Sequence, residues 1–190
     1  MKDVIVLGRP NGAGKTTAAD DLLKDRLGIG EFVNADEIAS GTVSSNPGAA
    51  AVTAGRATIE RIRASIRRGG SFAFETTCAG HWQLRLLQEC RTAGYRLTLI
   101  FLWLRSPRDA LARVAKRVAQ GGHNVPDDVV IRRYWAGLRN MRHLYLPLVD
   151  IAVLYDNSDG DRVLIAEQMR HSPLLIYDAE RWKLIEEATV

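Results

Sequence analysis

The chain has little cysteine, no long apolar run and no tail of a single charge sign, and each shortage excludes a class of protein. Cys78 and Cys90 are the two cysteines in 190 residues. They are too few for a disulfide framework, and no cysteine or histidine pair has metal-ligand spacing, which argues against a zinc-built domain. Both thiols read as structural, in a reducing, cytoplasmic setting. The longest largely apolar stretch, Leu97 to Leu104, is far below the roughly 20 residues of a membrane span. The N-terminus leads straight into a strand without the regions a secretory signal needs, so no membrane partner is expected. The basic residues give a net charge of +4 but are spread over several predicted helices. That suits anionic ligands in general and argues against nucleic acid as the main partner.

What is present is concentrated near the N-terminus. Val4-Ile5-Val6-Leu7 suits a buried parallel strand, and Thr16 to Lys24 reads as a helix. Between them lie Asn11, Gly12, Ala13, Gly14, Lys15, Thr16 and Thr17, the pattern of a phosphate-binding loop. Small residues let successive backbone N–H groups converge on phosphate oxygens, and the following helix offers its positive end. Lys15 is placed for the β and γ phosphates, and the Thr16 hydroxyl for Mg²⁺. The nucleotide is therefore ATP or GTP with Mg²⁺. One departure stands out: the glycine expected five positions before Gly14 is Arg9, with Gly8 beside it. A side chain there must avoid angles that only glycine takes easily, so either the loop is reshaped or Gly8 takes the turn. Arg9 itself is expected to be solvated.

Strand and helix patterns then alternate, which predicts an α/β fold with a mostly parallel sheet. Strands are expected near 32–34, 71–74, 97–104 and 151–155, with helices from Pro47 to about Arg67, His81 to Ala93, Ser106 to Gly121, and from Pro126 onward. The expected architecture is a three-layer phosphate-loop NTPase over residues 1–190, with five strands, helices on both faces and a small helical lid around 113–133. A strand pair and short helix in 161–190 form a structural extension. The four tryptophans read as core or rim packing.

Ligands gather at the carboxyl ends of parallel strands, so the polar residues that follow each apolar run are the ones that matter. The second strand delivers Asn34 and Asp36, the third Glu75, Thr76 and Thr77, the fifth Asp156, Asn157 and Ser158. Asp36 reads as a general base for an acceptor hydroxyl, with a helix cap as the alternative role. Glu75 suits Mg²⁺ through water, or substrate hydroxyls. Asn34, Arg56, Thr76 and Thr77 are candidates for the acceptor pocket, and Asn157 for a base contact. Arg113 and Arg117 lie four apart on one helix face, and Arg132 and Arg133 follow the Gly121-Gly122-His123 break. Closing over the triphosphate, such arginines would neutralise the transferring group and exclude water. Arg117 and Arg133 are the two assigned to catalysis, Arg113 and Arg132 to the nucleotide.

Four segments together, Pro10 to Thr17, Phe32 to Ile38, Phe72 to Thr77, and Arg117 through Pro126 to Tyr134, resemble the zeta-toxin-like family of small phosphate-loop kinases. The resemblance implies phosphorylation of a small-molecule hydroxyl by ATP or GTP, the acceptor in characterised toxins of this type being a UDP-N-acetylated amino sugar. It further implies a base at Asp36, phosphate binding by Lys15 and the lid arginines, a substrate role near Glu75, and an antitoxin as the type of partner protein. Two alternatives remain. The acceptor could be another hydroxylated compound, such as an antibiotic or nucleoside, or the chain could be a nucleotide-binding switch without transfer.

Overall fold

The computed structural model describes residues 2–13, 31–33, 47–122, 124–170 and 172–190. The helix expected from Thr16, the residues Gly14, Lys15, Thr16, Thr17, Asn34 and Asp36, and His123 lie outside the described residues. Along the described chain run β1 (Lys2–Gly8), β2 (Phe32–Val33), α1 (Pro47–Arg68), β3 (Phe72–Thr76), α2 (Trp82–Thr92), β4 (Tyr95–Trp103), α3 (Pro107–Ala119), α4 (Asp127–Asn140), a π-helical turn (Met141–Tyr145), β5 (Ile151–Asp156), β6 (Val163–Met169), β7 (Leu175–Ile176) and α5 (Ala179–Glu187). No described helix is long and apolar enough to cross a membrane.

All seven strands among the described residues form one sheet in the order β2-β3-β1-β4-β5-β6-β7. β1 to β5 are mutually parallel, while β6 runs antiparallel to β5 and β7 to β6. The expected sheet of five strands is therefore corrected to seven, because the C-terminal pair continues the main sheet. Left unpaired, β5 would present a row of open backbone groups at the sheet edge. β6 covers that edge, and its Ile165 and Ala166 extend the core. Both faces of the central strands are buried, which is why they read as unbroken apolar runs. Val4, Val6, Phe72, Phe74, Leu97, Leu99 and Phe101 fill one face with side chains from all five helices. Ile5, Leu7, Ala73, Ile100 and Leu102 form the other.

Local signals account for the element ends. Ser106 has extended backbone and its Oγ accepts from the Asp109 N–H at 3.2 Å, with Pro107 opening α3. The Asp178 Oδ1 likewise accepts from the Arg181 N–H at 2.9 Å and starts α5. Asp127 and Asp128 occupy the first turn of α4, where the helix dipole favours negative charge. Trp103 and Trp182 are buried as expected, whereas Trp135 is 39% exposed and meets Tyr134 edge-on.

Candidate active site

The register of the sheet assembles the site. Gly8 on β1 lies opposite Thr76 on β3 and Phe101 on β4, so the carboxyl ends of β1 and β3 are level while β4 runs two residues further, to Trp103. Gly8 does not take the turn. It stays in the strand, and its lack of a side chain makes room for neighbours: a Cβ there would lie 2.7 Å from Phe101 Cδ2 and 2.9 Å from Cys78 Sγ. The left-handed turn falls at Gly12, with φ of +82°. A side chain at Gly12 would also press on the Ala110 carbonyl and Arg113 Cβ of α3, so both the angle and the space require glycine. The Ala13 N–H closes the turn on the Pro10 carbonyl at 3.2 Å. Asn11 Oδ1 is buried with no hydrogen-bond partner among the described residues.

Arg9 is not solvated, which overturns the expectation from sequence. Its side chain is 4% exposed and its Nη2 lies 2.5 Å from Glu75 Oε1. The reason is topological. The Arg9 N–H donates to the Thr76 carbonyl at 3.0 Å, which continues the β1–β3 ladder and holds Arg9 beside the end of β3, where Glu75 stands. A guanidinium in that position gains an ionic partner and avoids being buried alone. Position nine thus joins the start of the phosphate loop to the carboxylate near the end of β3.

The Glu75-Thr76-Thr77 segment is braced from below. Thr76 is buried, and its Oγ1 accepts from the Cys78 N–H at 2.9 Å and from Gln83 Nε2 at 3.0 Å. Cys78 has a φ of 57°, an angle sustained by the Thr76 hydroxyl turn. Asn140 Nδ2 donates to the Cys78 carbonyl at 2.9 Å. Above Thr77 lies Gly137 of α4, where a Cβ would sit 2.2 Å from the Thr77 carbonyl oxygen. Helix propensity alone favours alanine in a helix interior by about 1 kcal/mol, but this clash is against backbone. Gly137→Ala is therefore expected to destabilise the fold by about 2 kcal/mol, read from urea unfolding. A stabilised variant would show that α4 shifts freely from the loop.

The predicted arginines divide. Arg113 is tied down, donating from Nη2 to the carbonyls of Asn157 and Ser158 at 2.7 Å each. Arg117 is half-buried, and its stem packs against the Gly121-Gly122 turn, whose Gly122 N–H donates to the Arg117 carbonyl at 2.9 Å. Arg56, Arg132 and Arg133 are exposed. Arg133 lies four residues before Gly137 and so shares the helix face that meets Thr77. Neither Gly137 nor Asn140 was identified from sequence. A lone glycine within a helical pattern was the available signal, since it implies a packing reason.

At the far side of the site, Asp156 ends β5 with 1% side-chain exposure. Its Oδ2 accepts from Arg105 Nε at 2.9 Å and Arg181 Nε at 2.8 Å, and its Oδ1 from the Ser158 N–H at 2.9 Å. Burial alone would raise its pKa, but the hydrogen bonds from Ser158, Arg181 and Arg105 outweigh it and hold the carboxyl below its ordinary value. A depressed folded-state pKa contributes stability above the unfolded value, near 4, that is lost as pH falls through the folded one. Asp156→Asn is accordingly expected to flatten the decline of stability below about pH 4, measured by unfolding at stepped pH. An unchanged acid slope would count against the Asp156 contribution. Burial pushes both thiols upward, Cys90 to about 12, which fits their structural reading.

The profile of the AAA_33 family, described as an AAA domain, matches residues 4–138. The chain belongs to that family. The match runs from β1 through most of α4 and ends before β5. An uncharacterized protein of Haemophilus influenzae is 29% identical to this AAA domain over 124 residues, which are 65% of this chain and 86% of that protein. Among solved structures, a chain of the AvrRxo1-ORF1:AvrRxo1-ORF2 complex with sulphate ions superposes on this one with a TM-score of 0.77 at 18% identity. All of the present chain is covered, and it spans 65% of the length of that neighbour. A structure of the same complex with ATP gives 0.75 at 18% identity. A chain of the PezAT chromosomal toxin-antitoxin system of Streptococcus pneumoniae gives 0.63 at 14% identity, covering 99% of this chain and 86% of that one. At these identities the likeness is one of fold: the phosphate-loop α/β fold that the zeta-toxin-like reading implies.

Proposed function

We propose that this AAA domain is a kinase that transfers the γ-phosphate of ATP to a hydroxyl of a small molecule, with a UDP-N-acetyl amino sugar as the acceptor class. The observation that carries the reading is the 2.5 Å contact between Arg9 of the phosphate loop and Glu75. It sets an acidic side chain beside the start of the loop, which supports a role for Glu75 where an acceptor hydroxyl would approach. Lys15 and the loop N–H groups hold the phosphates, and Asp36 orients the hydroxyl and takes its proton. Arg133 and Arg117 close over the transferring group from the 113–133 segment. Bound Mg²⁺ would neutralise phosphate charge, with the Thr16 hydroxyl as its protein ligand. The guanidinium beside Glu75 suits that carboxylate to hydroxyl binding better than to direct metal coordination. The neighbours in complexes of two proteins, one of them solved with ATP, support ATP as the nucleotide and an antitoxin-like protein as a partner class.

The test is NMR-monitored phosphate transfer from ATP·Mg²⁺ to a panel of nucleotide sugars, antibiotics and nucleosides. A phosphorylated nucleotide sugar formed by the intact chain and not by Asp36→Asn is the expected result. Transfer only to another panel member would reassign the acceptor, and bound but unconsumed ATP throughout would favour a nucleotide switch.

A further inference from the structure

We propose that Asn157 is a positioning residue of the phosphate loop, so that the C-terminal segment beyond the family match forms one wall of the nucleotide site. The inference rests on the nucleotide-binding reading above. Asn157 follows β5, and its N–H donates to the Trp103 carbonyl at 2.9 Å, which carries the β4–β5 ladder one step past the strand and brings its side chain to the carboxyl edge of the sheet. There Nδ2 donates to the Ala13 carbonyl at 3.0 Å, a contact between residues 144 apart in sequence.

Holding that carbonyl has a consequence for phosphate binding. A trans peptide unit is planar, with its C=O and N–H opposed. A donor that fixes the Ala13 carbonyl therefore holds the plane of the peptide unit at the end of the Gly12 turn, and a phosphate loop works by holding successive units in set orientations. Asn157 is in turn fixed from two sides. Arg113 Nη2 clamps the carbonyls of Asn157 and Ser158 at 2.7 Å each. The preceding Asp156 is locked by Arg105 of the β4–α3 turn and Arg181 of α5. A chain of contacts thus runs from α5 through Asp156 and Asn157 to Ala13. The Asn157 N–H, carbonyl and side-chain Nδ2 each have a protein partner, which disfavours the base contact suggested by its position in the sequence.

The two roles separate by ligand. Calorimetric affinities of the full chain for ATP·Mg²⁺, GTP·Mg²⁺ and inorganic tripolyphosphate are compared for the intact protein, Asn157→Ala and Arg181→Ala, with thermal unfolding alongside. Loss of a loop-orienting hydrogen bond should weaken all three ligands of Asn157→Ala by the same factor, about 5- to 10-fold, with the melting temperature within a few degrees. Arg181→Ala should act in the same direction and less. A loss confined to ATP or GTP, with tripolyphosphate unchanged, would show a base contact and overturn the proposal, as would unchanged affinities throughout. Should Asn157→Ala fail to fold, Asn157→Ser, whose shorter hydroxyl does not reach Ala13, is judged by the same comparison. An intact protein that binds none of the three refutes the nucleotide-site reading itself, before any variant is compared.

Discussion

Asp36→Asn should lower phosphoryl transfer by about 10²- to 10⁴-fold, the range typical of a positioned general base, with ATP affinity essentially retained. The amide keeps the shape of the side chain and its capacity to accept a hydrogen bond, so an acceptor hydroxyl can still be oriented. What it loses is the ability to take the proton as the bond to phosphorus forms. Lys15→Ala provides the contrast. On the kinase reading it removes a cation from the β and γ phosphates, so binding and transfer should fall together. Initial rates by coupled assay and nucleotide affinities by calorimetry separate the two patterns. Full transfer by Asp36→Asn would assign the base elsewhere. If the biological activity survives Asp36→Asn but not Lys15→Ala, the chain is a nucleotide switch.

The second large effect concerns the pair at the entrance of the loop. Glu75→Ala removes the carboxylate that meets Arg9 at 2.5 Å, from a site where the arginine side chain is 4% exposed and the glutamate 17%. Breaking a buried pair from one side typically costs 3–5 kcal/mol, because a charge is left in a poorly solvating place. The residual exposure of Glu75 puts the expected loss at the low end, about 3 kcal/mol. Arg9→Gly, which restores the consensus loop residue, should cost less, since a more accessible carboxylate recovers some hydration. The double variant should then be clearly more stable than the sum of the single losses implies, and a denaturant double-mutant cycle measures that coupling. Strict additivity would mean that the contact carries no net interaction, leaving Arg9 as a passive replacement for glycine.

How far the site was legible varies residue by residue. The strand before the loop, the Ser106-Pro107 start of α3 and the apolar run of β4 depend on side chains within a few positions of one another, and each appeared where the pattern put it. Arg9 was misread because exposure is not a local property: a single arginine after a strand looks solvated until β3 is known to lie alongside with Glu75 at its end. Asn157 was read as a candidate base contact, whereas its contact with Ala13 joins positions 144 apart in the chain. Gly137 gave only the hint of a glycine where helix formers are expected.

The sequence by itself determined the phosphate-loop motif, the alternation of strand and helix and the parallel sheet, because these follow from short-range patterns of apolar periodicity, capping residues and turn residues. The tertiary structure alone decided that the C-terminal strands continue the sheet, that Arg9 faces Glu75, that α4 rests on Thr77 through Gly137, and that Asn157 Nδ2 meets the Ala13 carbonyl. Those four arrangements depend on strand register and on the close approach of backbones distant along the chain, quantities to which every strand and helix contributes and which no local stretch encodes.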